Sequence, residues 1–301
     1  MNITFIGGGN MAAALIGGLI RKGHGASGIA VVEPLAEARA RLAAQFAVRC
    51  VDSAAAAAPL GEVVVLAVKP QQMRTAAAAL RPLLRRELVI TIAAGIRLTD
   101  LSRWLGGYPT LVRCMPNTPA LVGAGMSGLY ANAAVGAEQR AQAAAILGAV
   151  GATLWVEQEK LLDPVTAISG SGPAYVFYFI EALQQAAREM GFSAADARTL
   201  AVETFVGAAR LAAQNPEDIA VLRERVTSKG GTTERALASM DADRVKELIV
   251  RALHAANRRA HELGEQLAAD ERAAGQGLGH LRFRPGAIGD SAGRSRLFLA
   301  D

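Results

Sequence analysis

Apolar residues in the first half of the chain fall into short runs: ITFIG (3–7), IAVVE (29–33), VVVLAV (63–68), LVITIAA (88–94), TLVRCM (110–115), GMSGLYA (125–131) and ATLWV (152–156). Each is strand-length and bounded by glycine, proline or polar residues. Helical periodicity fills the gaps, over 9–23, 34–46, from about Gln72, from about Leu98, and over 137–150. Strands alternating with helices predict βαβ units, hence an α/β fold with a doubly wound parallel sheet carrying helices on both faces. After about Asp163 the strand signals stop. Residues 172–191, 193–214, 216–226, 232–240 and 243–270 all read as helix, which predicts an all-α second part. The first of these is apolar almost all round, the pattern of a buried central helix, and Glu181 inside it reads as a hydrogen-bonded structural carboxylate.

This gives an expected Rossmann-like domain over 1–163, a helical domain over 164–269, and a poorly ordered tail over 270–301. The tail is rich in glycine, arginine and serine and loses helical periodicity, so it is expected to be dispensable for the chemistry.

Composition narrows the function classes. The chain has 301 residues, 51% of them hydrophobic and 20% charged, enough apolar material for two cores. Its net charge of +5 is scattered, without basic runs interleaved with aromatics, so nucleic acid is not an expected partner. Cys50 and Cys114 fit neither a disulfide framework nor a metal spacing, and His24, His254, His261 and His280 add no ligand set. The first residues lack a signal-peptide pattern, and the apolar run at 173–180 is too short to span a bilayer. A cytoplasmic protein without a membrane partner is the expectation.

The candidate chemistry begins at residues 7–12. Gly7-Gly8-Gly9-Asn10-Met11-Ala12 is G-x-G-x-x-A, placed between a predicted strand and a predicted helix. Gly7 permits the tight turn, Gly9 lets backbone approach a pyrophosphate, and Ala12 keeps helix and strand close. Asn10 and Met11 open the helix, whose free N–H groups face the phosphates. Glu33 follows Ala12 by 21 positions (33 − 12) and ends the second predicted strand, where a carboxylate bonds the adenosine ribose and repels a 2′-phosphate. The cofactor expected is NAD(P)H with a lean to NADH; Arg39 and Arg41 are the residues that could oppose that lean.

Three further loops leave the same sheet edge: Ala67-Val68-Lys69-Pro70, Ala93-Ala94-Gly95, and Cys114-Met115-Pro116-Asn117-Thr118-Pro119. They are expected to line one crevice around the cofactor. The two prolines stiffen the last loop so that it presents backbone groups to a nicotinamide amide. Cys114 has no histidine in its motif and reads as a buried strand-end residue. In the helical part, Ser169-Gly170-Ser171-Gly172-Pro173 reads either as a plain helix start or as part of a site. Residues 227–233, TSKGGTT, exceed what a helix cap needs: one hydroxyl suffices, and here four flank a glycine pair.

FIGGGNMAAALIGGL, LAVKPQQM, RCMPNTPALVGAGMSGLY, AISGSGPAYVF and VTSKGGTTERAL, in this order, resemble pyrroline-5-carboxylate reductase over about residues 2–268. The resemblance implies hydride transfer from NAD(P)H to the imine carbon of 1-pyrroline-5-carboxylate, giving L-proline, the final step of proline biosynthesis. It implies a homodimer through the helical domain, decamers of five dimers as a further assembly, and a site shared between the cofactor domain of one subunit and the helical domain of the other. The substrate is a small cyclic imine carboxylate. Ser228 opens the loop expected to bind it, N–H groups of Gly230, Gly231 and Thr232 would hold its carboxylate, and the Thr233 hydroxyl would reach the ring nitrogen. Relatives often carry a polar residue near the ribose where this chain has Ser53 and the alanine tract 54–58, a departure that agrees with the Glu33 argument.

Two rivals follow from the residues. A β-hydroxyacid dehydrogenase shares the glycine-rich start, but its chemistry commonly uses a lysine on the central helix, and 172–191 has none. A non-catalytic NAD-binding regulator would not need the GGTT and MPNTP loops intact.

Overall fold

The computed structural model describes residues 1–277. The first part contains β1 (Ile3–Ile6), α1 (Asn10–Arg21), β2 (Ile29–Val32), α2 (Ala36–Phe46), β3 (Arg49–Val51), α3 (Ala54–Ala57), β4 (Val63–Leu66), α4 (Met73–Leu80), β5 (Leu88–Thr91), α5 (Leu98–Trp104), β6 (Leu111–Met115), β7 (Gly125–Ala131), α6 (Ala137–Gly148) and β8 (Gly151–Trp155). The eight strands form one sheet in the order β3-β2-β1-β4-β5-β6-β7-β8.

Side chains along each strand alternate between two cores. Phe5, Val63, Val65, Leu88, Ile90 and Val112 join Leu15, Ile16, Leu42, Ile146 and Leu147 on the face covered by α1, α2 and α6. Ile6, Val64, Leu66, Val89 and Leu111 join Met73, Ala77, Leu80 and Leu101 on the face covered by α3, α4 and α5. Burial on both faces is why these strands read as continuous apolar runs. The expected doubly wound sheet is present, with two corrections. The three-residue β3 has no apolar run to announce it, and its residues are only partly covered. β7 runs antiparallel to β6, because the 116–124 connection between them is too short for a crossover helix; β8 then returns parallel to β7.

The helical part contains α7 (Leu162–Val165), α8 (Gly172–Glu189), α9 (Ala194–Gln214), α10 (Ile219–Arg225), α11 (Thr232–Ala242) and α12 (Val245–Gly277), with a π-type turn over Thr166–Gly170 before α8. The last helix therefore continues past Asp270, where the tail was expected to begin. Residues 278–301 of that tail lie outside the described residues.

In the single chain α8 is not buried, although its composition predicts a buried central helix. Phe177 is 62% exposed and Tyr178 71%, and no residue of α8 is fully buried in the single chain. Glu181 is exposed as well. α8 packs mainly on α9, in which Ala197 and Ala201 are buried. The opposite apolar stripe has no covering element among the described residues. α12 behaves differently: it folds back over α7, the π-type turn and the sheet end of the molecule.

Candidate active site

The strand order reverses between β1 and β4, and ligands of open α/β sheets sit at that switch point beyond the strand carboxyl ends. Two of the expected loops meet there. The Gly7 N–H donates to the Val32 carbonyl at 2.8 Å and the Ala67 N–H to the Ile6 carbonyl at 2.8 Å. Gly7 has φ +100°, and a Cβ on it would lie 2.7 Å from the Ala67 carbonyl oxygen. Only glycine satisfies both the turn and the approach. Gly8 is packed differently: a Cβ there would collide with Leu42 of α2 at 2.5 Å.

Gly9 faces open space, and a Cβ on it would meet nothing within 4 Å. It is the N-cap of α1, no side chain caps the helix, and the first turn has no acidic residue. The Asn10, Met11 and Ala12 N–H groups thus have no backbone partner among the described residues, while the Ala13 N–H returns to the Gly9 carbonyl. An uncapped, unobstructed helix start with no acidic residue in its first turn fits a pyrophosphate.

Glu33 lies just past β2 with its carboxylate turned toward the glycine turn. Oε2 accepts from the Gly8 N–H at 3.0 Å and Oε1 from the Leu35 N–H at 3.0 Å. Each oxygen keeps a lone pair for a ribose hydroxyl. Arg39 is folded onto this loop, donating to the carbonyls of Glu33 at 2.8 Å and Pro34 at 2.7 Å.

Val68 is half-buried beneath the switch point, Lys69 is exposed, and Pro70 starts a short 3₁₀ turn into α4. Ala93 is buried and Ala94 exposed at the exit of β5. At the exit of β6, Pro116 is buried and the Asn117 side chain is engaged on both sides. Its Oδ1 accepts from the Met126 N–H at 2.8 Å, and its Nδ2 donates to the Ser169 carbonyl at 3.0 Å. Asn117 therefore fixes the loop to β7 and to the SGSGP segment, leaving backbone groups to face a ligand. Cys114 is fully buried, and burial pushes its thiol well above the usual range, with a hydrogen bond to Ser127 offsetting part of the effect. Such a thiol is inert as a nucleophile.

The 228–233 loop folds as a double turn before α11. Gly230 has φ +74°, a left-handed position. Its N–H donates to Glu234 Oε2 at 2.7 Å, and the Gly231 N–H donates to the Ser228 carbonyl at 3.0 Å. Two of the three N–H groups expected to hold a carboxylate are thus engaged inside the loop. The pattern resembles a capping box shifted by one residue, with Glu234 at the N3 position. The Thr232 and Thr233 N–H groups and the Thr233 hydroxyl have no partner among the described residues, whereas the Thr227 hydroxyl donates to the Arg223 carbonyl at 2.7 Å. α11 packs mainly against α12, and no hydrogen bond among the described residues joins 228–233 to the crevice loops.

The sequence reading missed a cluster of charges at the seam of the two parts. Arg113, in the middle of β6, is 5% exposed. Its guanidinium donates to Glu159 Oε1 at 3.1 Å and to Asp163 Oδ1 at 3.5 Å. Glu159 Oε1 also accepts the Leu98 N–H at the start of α5, at 2.8 Å. Asp163 Oδ2 lies 3.4 Å from His261 Nδ1 on α12. A charged residue inside an apolar strand run, LVRCM, was the available signal. Among the described residues, no group of three or more His, Cys, Asp or Glu could hold a metal ion, and no helix is long and apolar enough to cross a membrane.

Fold and loops together define a dinucleotide-dependent α/β oxidoreductase with a helical second part. Comparisons with known proteins narrow this. Residues 159–263 match the family model described as pyrroline-5-carboxylate reductase dimerisation, and residues 2–95 match NADP oxidoreductase coenzyme F420-dependent. The pyrroline-5-carboxylate reductase of Pseudomonas aeruginosa is 49% identical over 266 residues, covering 88% of this chain and 97% of that protein. The Escherichia coli enzyme is 37% identical, over 83% of this chain and 94% of its own length. Among solved structures, the pyrroline-5-carboxylate reductase of Coxiella burnetii superimposes with a TM-score of 0.84 at 40% identity, covering 87% of this chain and 98% of that one. The Plasmodium falciparum pyrroline carboxylate reductase, solved with NADP bound, gives 0.78 at 27% identity, covering 88% of this chain and 98% of that one.

The chain belongs to the pyrroline-5-carboxylate reductase family. It is an NAD(P)H-dependent oxidoreductase that reduces 1-pyrroline-5-carboxylate to proline, and it carries the family's dimerisation segment.

Proposed function

We propose that this reductase works with NADH held by Gly7, Gly9, Asn10, Met11 and Glu33, in a site completed by the 228–233 loop of a second copy of the chain. The observation that carries this reading is the state of that loop. Thr232 and Thr233 present unpartnered groups at the start of α11, yet no hydrogen bond among the described residues ties the loop to its own crevice. The exposed apolar face of α8 supplies the surface on which two copies would meet. Decamers of five such dimers remain the expectation from the family resemblance, as does a cytoplasmic setting. The working division is a cofactor domain over 1–163 and a substrate and dimerisation domain over 164–269.

In this reading the cofactor supplies the hydride, and the protein supplies position and electrostatics. Loops 67–70, 93–95 and 114–117 hold the nicotinamide end. The substrate carboxylate takes the free Thr232 and Thr233 N–H groups. Gly230 and Gly231 shape the turn rather than donate, because their N–H groups are already engaged. Ser228 is exposed beside them and closes the rim of the loop. The Thr233 hydroxyl bonds the ring nitrogen, orients the C=N bond and relays a proton from water. No strong general base is needed for hydride addition to an imine so activated.

Glu33 favours NADH because its carboxylate, anchored by two backbone N–H groups, accepts ribose hydroxyls and repels a 2′-phosphate. Arg39, one of the two residues that could oppose this, is occupied by two carbonyls, and the other, Arg41, is exposed. The test is kcat/KM for pyrroline-5-carboxylate with each dinucleotide. A higher value with NADH is expected; a strong preference for NADPH would overturn the Glu33 reading.

A further inference from the structure

The buried Arg113 cluster belongs to none of the roles above, and it sits where the two parts of the molecule join. β6 carries Arg113 and exits two residues later into Pro116-Asn117. The segment 159–170 runs alongside that exit and is zipped to it at three levels. Arg113 holds Glu159 and Asp163. Met115 lies against Gly170, where a Cβ would come within 2.6 Å of the methionine methyl. Asn117 holds Ser169.

The same cluster reaches a second crevice loop. Glu159 accepts the Leu98 N–H, fixing the end of the 93–97 loop. Asp163 meets His261 on α12. Within the next two turns of α12, Gly264 and Leu267 pack directly on Gly95 of that loop; a Cβ on Gly95 would lie 2.9 Å from Leu267. The contacts form a closed circuit, from β6 through Arg113 to Glu159, to the 93–97 loop, to α12, and back through Asp163. Arg113 is its hub, with both acidic partners largely shielded, at 21% and 18% side-chain exposure.

We propose that Arg113 is a positioning residue for hydride transfer: through Glu159 and Asp163 it sets loops 93–97 and 116–119 in the relative placement that holds the nicotinamide. This rests on the reading that those loops hold the nicotinamide end. A guanidinium suits the task because its rigid planar fork fixes the direction of both carboxylates, whereas a lysine ammonium is a compact point charge on a flexible stem. The glycine turn and Glu33, which hold the adenosine half, lie outside the circuit. Disturbing Arg113 should therefore separate the two ends of the cofactor.

The experiment compares wild type, Arg113→Lys and the neutral triple variant R113M/E159Q/D163N. The triple removes the carboxylates that a single Arg113→Met would strand, and Gln at 159 still accepts from Leu98. For each protein, kcat, Tm and the Kd of NADH and of ADP-ribose, which lacks nicotinamide, are measured. Misplacement of a bound reactant lowers turnover steeply, so both variants are expected to lose about tenfold in kcat. Their preference for NADH over ADP-ribose should fall about fivefold while the ADP-ribose Kd stays within about twofold, since remote sites act independently. The triple should recover Tm toward wild type without recovering kcat. Wild-type kcat and NADH preference in either variant, with only Tm altered, would make Arg113 purely structural and overturn the proposal. If wild type itself binds ADP-ribose as tightly as NADH, the loop reading fails, and the proposal with it.

Discussion

The glycine turn at 7–9 and the glycine pair at 230–231 each precede a helix start, and they differ in what the chain itself completes. The first sits at a sheet switch point, backed by two buried cores, with Glu33 already placed by two N–H groups. The second sits in a part whose helices leave Phe177, Tyr178 and Leu200 exposed, and its free groups face no partner among the described residues. A helix start backed by its own core is a finished site. The second has no such wall, and in the proposed reading a second copy, docked on the apolar stripe of α8, supplies it.

Substitutions in the two turns sharpen this contrast. The largest effect is expected from Gly9→Asp. A side chain there meets no neighbour, so the fold should tolerate it, while the new charge would face a pyrophosphate held at this helix start. Loss of dinucleotide affinity by about 100-fold or more is predicted, from charge repulsion at an anion-binding helix start. Calorimetric titration and a melting curve check both halves; weak binding with a collapsed Tm would mean that Gly9 is structural. Next comes Thr233→Ala, predicted to lower kcat/KM on the order of tenfold through one lost transition-state hydrogen bond. Thr227→Ala is the control, because its hydroxyl is spent on the Arg223 carbonyl, and it should stay within about twofold of wild type. Equal losses in the two variants would reject Thr233 as the ring contact. The smallest effect is Glu33→Gln, which keeps an acceptor for Gly8 but removes the charge. The NADPH-to-NADH ratio of kcat/KM should rise about fivefold, a modest electrostatic term at a partly exposed site. An unchanged ratio would show that Glu33 does not select the cofactor.

Much of the first turn was legible in the sequence. Gly7, Gly9, Ala12 and Glu33 carry a pattern whose context, strand before and helix after, is readable from apolar runs. β3 was not, since three half-covered residues make no run. The antiparallel β7 was not, because direction follows from connection length rather than from the strand's residues. For the second turn, the sequence showed that 227–233 exceeds a cap, but not which N–H groups stay free. That depends on Glu234 folding back over Gly230, an interaction between side-chain reach and turn geometry. The exposure of α8 in the single chain has a plain cause: an apolar stripe marks a face that some surface covers, and composition alone does not say whether that surface lies in the same chain. Arg113 stood in view inside LVRCM, yet its partners Glu159 and Asp163, and His261 beyond them, are 46 or more residues from the groups they meet and invisible to local patterns.

The central claim, that one chain's glycine turn works with another chain's 228–233 loop, is tested most directly by mixing two impaired variants. Gly9→Asp and Thr233→Ala proteins are dissociated together, reassociated at equal concentration and assayed for pyrroline-5-carboxylate reduction. In a mixed dimer one site combines the intact turn of one subunit with the intact loop of the other. Half the dimers are mixed and each has one sound site of two, so about a quarter of wild-type activity is predicted from random pairing. A mixture no more active than its two components would place turn and loop in the same chain and contradict the account.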